Sequence, residues 1–194
     1  MKIIIDAGHG GVSPFNNEYV TAGKRMVKDG ITFYEGVNNR IVSSLIVSAL
    51  QEKGHTVFYN DTWDDTPLTG RVHDANKLNP DFLISIHSDA FGNGKDWHPA
   101  NGIGTYIYTK ASKRSEMLAD SLNNSLICNF EGLAKNRGIK KVNFYILKNT
   151  NCPAVLLELG FHTNKDEVQK MQTIEWREKI VKSIVEAIEE YEKK

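Results

Sequence analysis

Apolar residues recur along this chain in two rhythms. Six short runs, "KIIID", "HTVFYN", "FLISIH", "GTYIYT", "VNFYIL" and "AVLLELG", carry few polar interruptions. Such runs predict strands, because β-branched and aromatic side chains suit a pleated surface that is covered rather than wet. Between them lie stretches with the helical period. One helix is predicted from about Glu35 to Lys53, with Val37, Ile41, Leu45 and Ala49 on one face and Gly54 where a C-terminal cap belongs. A second runs from Pro67 to Leu78, with Pro67 in its first turn, and a third from Ser112 to Asn129. The last runs from Ile174 to Tyr191 and is expected to bury Ile180, Val181, Ile184, Val185 and Ile188. The alternation predicts an α/β fold: a single layered domain over residues 1–194, with a mostly parallel six-stranded twisted sheet flanked by helices on both faces.

Composition narrows the functional classes. At 194 residues the chain is long enough for one substantial core, and no repeat or low-complexity linker divides it. Lys+Arg and Asp+Glu both number 24, a balance that argues against a nucleic-acid partner. Cys128 and Cys152 are the only cysteines, without CxxC spacing, so neither a zinc finger nor a disulfide framework is expected. No apolar run approaches the roughly 20 residues of a membrane span. The first residues do not read as a signal peptide, which implies synthesis in the cytoplasm without membrane insertion.

Chemistry-capable side chains fall where strands end. His9 follows "IIIDAG", His87 closes "FLISIH", and Glu158 interrupts "AVLLELG". Ligands of open α/β sheets bind at the carboxyl ends of the strands, so parallel neighbours would bring these three to one crevice. The glycines around His9 allow two readings: a cradle for phosphate, or a loop that presents the histidine. A carboxylate inside a strand needs a partner charge, a hydrogen bond or a proton, which leaves Glu158 as either half of an ion pair or a reacting group. Glu35 opens the first helix, where an acid is favourable in any case. With two convergent histidines it completes His9, Glu35 and His87, a His₂Glu set of the kind that holds catalytic zinc and leaves one position open. His55 and His73 read as surface or packing residues, and His98 lies in a polar loop. His162, four residues beyond Glu158, is a candidate for substrate contact or for support of the ligands. Two long polar stretches, Val12 to Thr32 and Gly92 to Gly104, lie beside these residues, and long loops in compact domains are often functional. Trp97 and Asn101 in the second stretch, with Arg137, are candidate contacts to sugar or peptide, since aromatic faces and forked donors suit them.

Five segments in order, "IIIDAGHGG", "YEGVNNRIVSSLIVSALQEKGHTV", "LTGRVHDANKLNPDFLISIHSDAF", "NRGIKKVNFYILKNTNCPAVLLELGF" and "HTNKDE", resemble the zinc-dependent N-acetylmuramoyl-L-alanine amidases of the amidase-3 type. They cover nearly the whole chain. The resemblance implies one zinc ion on His9, Glu35 and His87, with Glu158 as catalytic base. It implies peptidoglycan as partner and hydrolysis of the amide between the lactyl group of N-acetylmuramic acid and L-alanine. The glycines of "DAGHGG" would then give the wall peptide access to a metal loop, and the phosphate reading weakens because no Gly-Lys-Ser/Thr follows. Two rivals use related equipment: a zinc peptidase cutting within the stem peptide, and a non-catalytic wall-binding module. The chain departs from the pattern at Ser88 and Asp89, where a small residue and asparagine are expected, and in its longer first loop. With no wall-binding domain and no signal peptide, the chain resembles a phage lysin, an excised lysin domain or a mother-cell lysis enzyme, and is expected to act as a monomer.

Overall fold

The computed structural model describes residues 1–60, 62–92 and 94–194. In chain order its elements are β1 (Lys2–Ala7), β2 (Arg25–Lys28), β3 (Ile31–Tyr34), α1 (Glu35–Glu52), β4 (Thr56–Tyr59), α2 (Leu68–Leu78), β5 (Phe82–Asp89), β6 (Ile103–Tyr108), α3 (Lys113–Asn129), β7 (Asn136–Val142), α4 (Tyr145–Asn149), β8 (Ala154–Phe161), α5 (Lys165–Met171) and α6 (Ile174–Tyr191). Six strands form one sheet in the order β4-β1-β5-β8-β6-β7, and β2 pairs with β3 separately. Every pairing in the large sheet is parallel except β6 with β8.

Strand alternation divides the apolar side chains between two cores. Ile3, Ile5, Phe82, Ile84, Ile86, Val155 and Leu157 face the larger core, beneath α1, α3, α5 and α6. Their intervening neighbours Ile4, Leu83, Ala154 and Leu156 face the smaller one, beneath α2 and α4. A continuous apolar run is what a strand covered on both faces requires. Each buried branched side chain contributes about 1.5–3 kcal/mol relative to exposure. Among the described residues no helix is long and apolar enough to cross a membrane.

Four expectations change. "VNFYIL" is not a strand: β7 ends at Val142 and Tyr145–Asn149 is α4, whose Ile146 and Leu147 enter the smaller core. The actual strand, "NRGIKKV", sits at the sheet edge with β6 as its only partner, so it needs no apolar run. The first helix buries Val42, Ile46 and Leu50 with Asn39 and Ser43, while Ile41 and Leu45 are 38% and 42% exposed. At its start Glu35 and Gly36 are buried, with Gly36 close against the backbone of Gly10 in the loop after β1. On α6, Ile180, Ile184 and Ile188 are buried, whereas Val181 and Val185 are only half-buried, facing α1 across a shallow groove. Finally, the first long polar stretch contains a hairpin. Asp29 and Gly30 both take positive φ between β2 and β3, the geometry that Asp-Gly turns favour.

Candidate metal centre

The loop after β1 is held by a buried ion pair. Arg71 Nη1 of α2 donates to Asp6 Oδ1 at 2.7 Å and to the Ala7 carbonyl at 2.6 Å, and Nη2 reaches the His9 carbonyl at 3.1 Å. Ser85 Oγ donates to the other Asp6 oxygen at 2.6 Å, and Asn39 Nδ2 to the Gly8 carbonyl at 3.2 Å. His9 takes φ of +64°, a left-handed conformation that these contacts stabilise. Two glycines of the site allow close packing. A Cβ on Gly8 would strike the His87 ring, and one on Gly36 would strike the Gly10 carbonyl oxygen, so both backbones approach as closely as they do only without side chains.

Glu35 is the hub. Its backbone N–H donates to the Lys24 carbonyl at 3.0 Å, and its side chain is 2% exposed. Oε1 lies 3.2 Å from His9 Nε2 and 3.2 Å from His87 Nδ1, and accepts from the Ser88 N–H at 3.3 Å. Oε2 has no hydrogen-bond partner. Burial alone would push this carboxyl up, but hydrogen bonds and charge from His87 and His9 outweigh it and hold it well below the carboxylate range. The two imidazoles meet edge to face, 5.0 Å between centroids. His9, Glu35 and His87 are the one group of described residues with three metal-type donors converging, all within 4.8 Å. Two ligands about 2.0–2.1 Å from a tetrahedral zinc lie about 3.3 Å apart, a spacing that the two 3.2 Å histidine–Glu35 separations match.

Glu158 stands beside this cluster. In the β5–β8 ladder it is paired with His87, and on its other side with Gly104 of β6. Its Oε2 is buried without a partner, and no salt bridge among the described residues reaches it, so the ion-pair reading loses its support. Burial, then the negative charges of Glu35 and Asp89, push its carboxyl well up, against Lys24 and Arg137. A crevice of about 300 Å³ opens beside His9 and His87, walled by Asp65, Pro67, Leu68 and Ile146.

The other candidates are held in different ways. Arg137 Nη1 donates to Asp89 at 2.7 Å and Nη2 to the Tyr106 hydroxyl at 2.9 Å, with the guanidinium 4.5 Å over the Phe161 ring. Trp97 Nε1 donates to Asp29 at 2.8 Å, which together with the 2.6 Å Lys28–Asp96 pair clips the second polar loop onto the β2–β3 turn. Asn101 bonds back to the Pro99 carbonyl. His162 is 1% exposed and faces Ser88 and Glu35 rather than solvent. The sequence reading missed Asp6, Arg71 and Asn39. Asp6 did offer a signal, a charged residue following three isoleucines.

Two histidines and the buried glutamate that opens α1 converge beside the strand ends of this α/β sheet, with a second buried carboxyl alongside, a constellation suited to hydrolytic chemistry. Comparison with known proteins narrows this. Residues 3–190 match the family described as N-acetylmuramoyl-L-alanine amidase, Amidase_3. "Probable cell wall amidase LytH" of Staphylococcus aureus is 30% identical over 189 residues, covering 97% of this chain but 57% of LytH. The N-acetylmuramoyl-L-alanine amidase of Clostridium difficile 630 is 28% identical with a TM-score of 0.85, over 99% of this chain and 96% of that one. The catalytic domain of CwlV, from Bacillus (Paenibacillus) polymyxa var. colistinus, is 26% identical with a TM-score of 0.80, over 99% and 98% of the two chains. The chain belongs to the N-acetylmuramoyl-L-alanine amidase family, whose reaction is amide hydrolysis in peptidoglycan.

Proposed function

We propose that His9, Glu35 and His87 hold a single zinc ion and that Glu158 is the base of a muramoyl-L-alanine amidase. The carrying observation is the spacing of the donor set, with both histidines 3.2 Å from one carboxylate oxygen. Zinc, when bound, supplies Lewis-acid polarisation of the scissile carbonyl and a lowered pKa for water. Everything else falls to the chain. His9 is held in place because Asp6, Arg71 and Asn39 fix the loop on which it sits. Glu158, beside His87 but outside the donor set, takes the proton of the attacking water. Its tendency to hold a proton, which burial and two neighbouring carboxylates create, suits it to return that proton to the leaving amine of L-alanine. Arg137, oriented by Asp89 and Tyr106, is the candidate contact to the stem peptide. Trp97 and Asn101 act in this reading by shaping the loop near it.

Digestion of purified wall tests the reaction. Free lactyl groups with new L-alanine amines are expected; new D-amino or diamino-acid ends would mean a peptidase instead. Glu158→Gln tests the base. It should retain zinc and fold, yet lose roughly 10²- to 10⁴-fold in kcat. A zinc-loaded, fully active Glu158→Gln would remove Glu158 from the mechanism.

A further inference from the structure

Glu35 poses a problem that its three hydrogen-bond donors do not solve. Oε1 collects His9, His87 and the Ser88 N–H, whereas Oε2 is buried with no hydrogen bond at all. A carboxylate so placed could swing on its side-chain torsions and exchange its two oxygens or turn away. The group standing against Oε2 is the imidazole of His162, whose Nδ1 lies 3.8 Å from it.

The ring is held at its Nδ1 edge and on one face, while Nε2 is buried with no hydrogen bond. Nδ1 lies 3.1 Å from the Ser88 carbonyl and 3.3 Å from Ser88 Oγ, and Phe33 stacks on its face at 6.1 Å with planes 13° apart. A carbonyl can only accept, so Nδ1 carries the hydrogen, and that N–H edge is the one turned toward Ser88 and Glu35. Ser88 can serve both neighbours because the β5–β8 register shifts between His87 and Asp89. The irregularity takes Ser88 out of the ladder, which leaves its N–H for Glu35 and its carbonyl for His162.

We propose that His162, anchored on Ser88, is a positioning residue that locks the Glu35 carboxylate with Oε1 toward His9 and His87 and thereby sets the affinity of the metal site. The inference rests on the zinc set proposed above and adds to it a residue that touches neither metal nor substrate. Outer partners of this kind orient ligands, and their loss weakens metal binding by about 10- to 100-fold.

Zinc dissociation constants measured by chelator competition on the purified, unsubstituted protein and its variants provide the test. His162→Leu keeps the volume and removes the N–H edge; zinc should bind 10- to 100-fold more weakly. His162→Asn can present an amide N–H near the position of Nδ1 and should recover most of that affinity. The thermal midpoint of the metal-free proteins separates packing from positioning, because a structural role alone would lower the midpoint and leave the zinc constant in place. Should His162→Leu fail to fold, Ser88→Ala carries the test: it removes one anchor of the imidazole by a single hydroxyl, and a smaller but measurable weakening is expected. Unchanged zinc affinity in His162→Leu, or in Ser88→Ala where His162→Leu does not fold, overturns the inference. If His9→Ala still binds zinc like the unsubstituted protein, the metal set has failed instead, and the two outcomes cannot be confused.

Discussion

Asp6 and Arg71 form an ion pair at 2.7 Å with each side chain 4% exposed, directly under the loop that carries His9. Breaking a buried pair from one side strands the other charge, at a cost of about 3–5 kcal/mol. Asp6→Asn should therefore melt markedly lower, by about 2–4 °C per kcal/mol in a chain of this size. Zinc affinity should drop with it, because Arg71 would no longer be held against the His9 carbonyl. A double replacement, Asp6→Leu with Arg71→Met, should recover much of the melting temperature without recovering the affinity. Calorimetry and zinc titration on the two variants check this.

Stability of the metal-free protein should depend on pH through Glu158. Its folded pKa lies above the ordinary 4.5, with burial the largest cause. The native state then binds this proton more tightly than the unfolded chain. That contribution is fully present below 4.5 and is lost as pH rises through the raised folded value. Glu158→Gln removes the penalty without breaking a hydrogen bond to Oε2, which has none. The variant should out-melt the unsubstituted protein at pH 8, with the gap shrinking toward pH 5. A gap that does not vary with pH would contradict the assignment.

Gly8→Ala should damage the metal site more than the fold. The added methyl meets the His87 imidazole, a side chain of the proposed donor set, and would push it off Glu35. Overpacking of this size costs about 1–3 kcal/mol. Zinc content by elemental analysis should fall far more than the melting temperature. Gly36→Ala, which would press on the backbone of Gly10 rather than on a side chain, should show the reverse balance.

Chelation should lower the melting temperature as free zinc falls, since the stabilisation varies with the logarithm of free zinc over its dissociation constant. Zinc at 1,000 times its dissociation constant stabilises the native state by about 4.1 kcal/mol. A ligand variant such as His87→Ala should melt at one temperature with and without chelator, which scanning calorimetry reads directly.

The sequence by itself determined the layered α/β class, four of the helices within a residue or so, and the strands β1, β4, β5, β6 and β8, because continuous apolar runs and helical periods record burial locally. It also carried the positions of His9 after one strand, His87 near the end of another, Glu158 within a third and Glu35 at the start of a helix; three of these, His9, Glu35 and His87, converge in the structure. The β2–β3 hairpin was not read from the sequence, although the Asp-Gly of "VKDGIT" is turn chemistry that could have signalled it. Only the tertiary structure decided the rest. β7 carries little apolar signal because an edge strand with one partner does not need it, and its apolar neighbours belong to α4. The antiparallel pairing of β6 with β8, which sets Gly104 beside Glu158, has no local signature. Arg71 meets Asp6 across 65 positions of sequence and His162 meets Ser88 across 74. Such polar partners are chosen by sheet order and by a shift of register, and neither leaves a period in the chain: a buried charge declares that it needs a partner, but only the packed structure brings one within hydrogen-bonding distance.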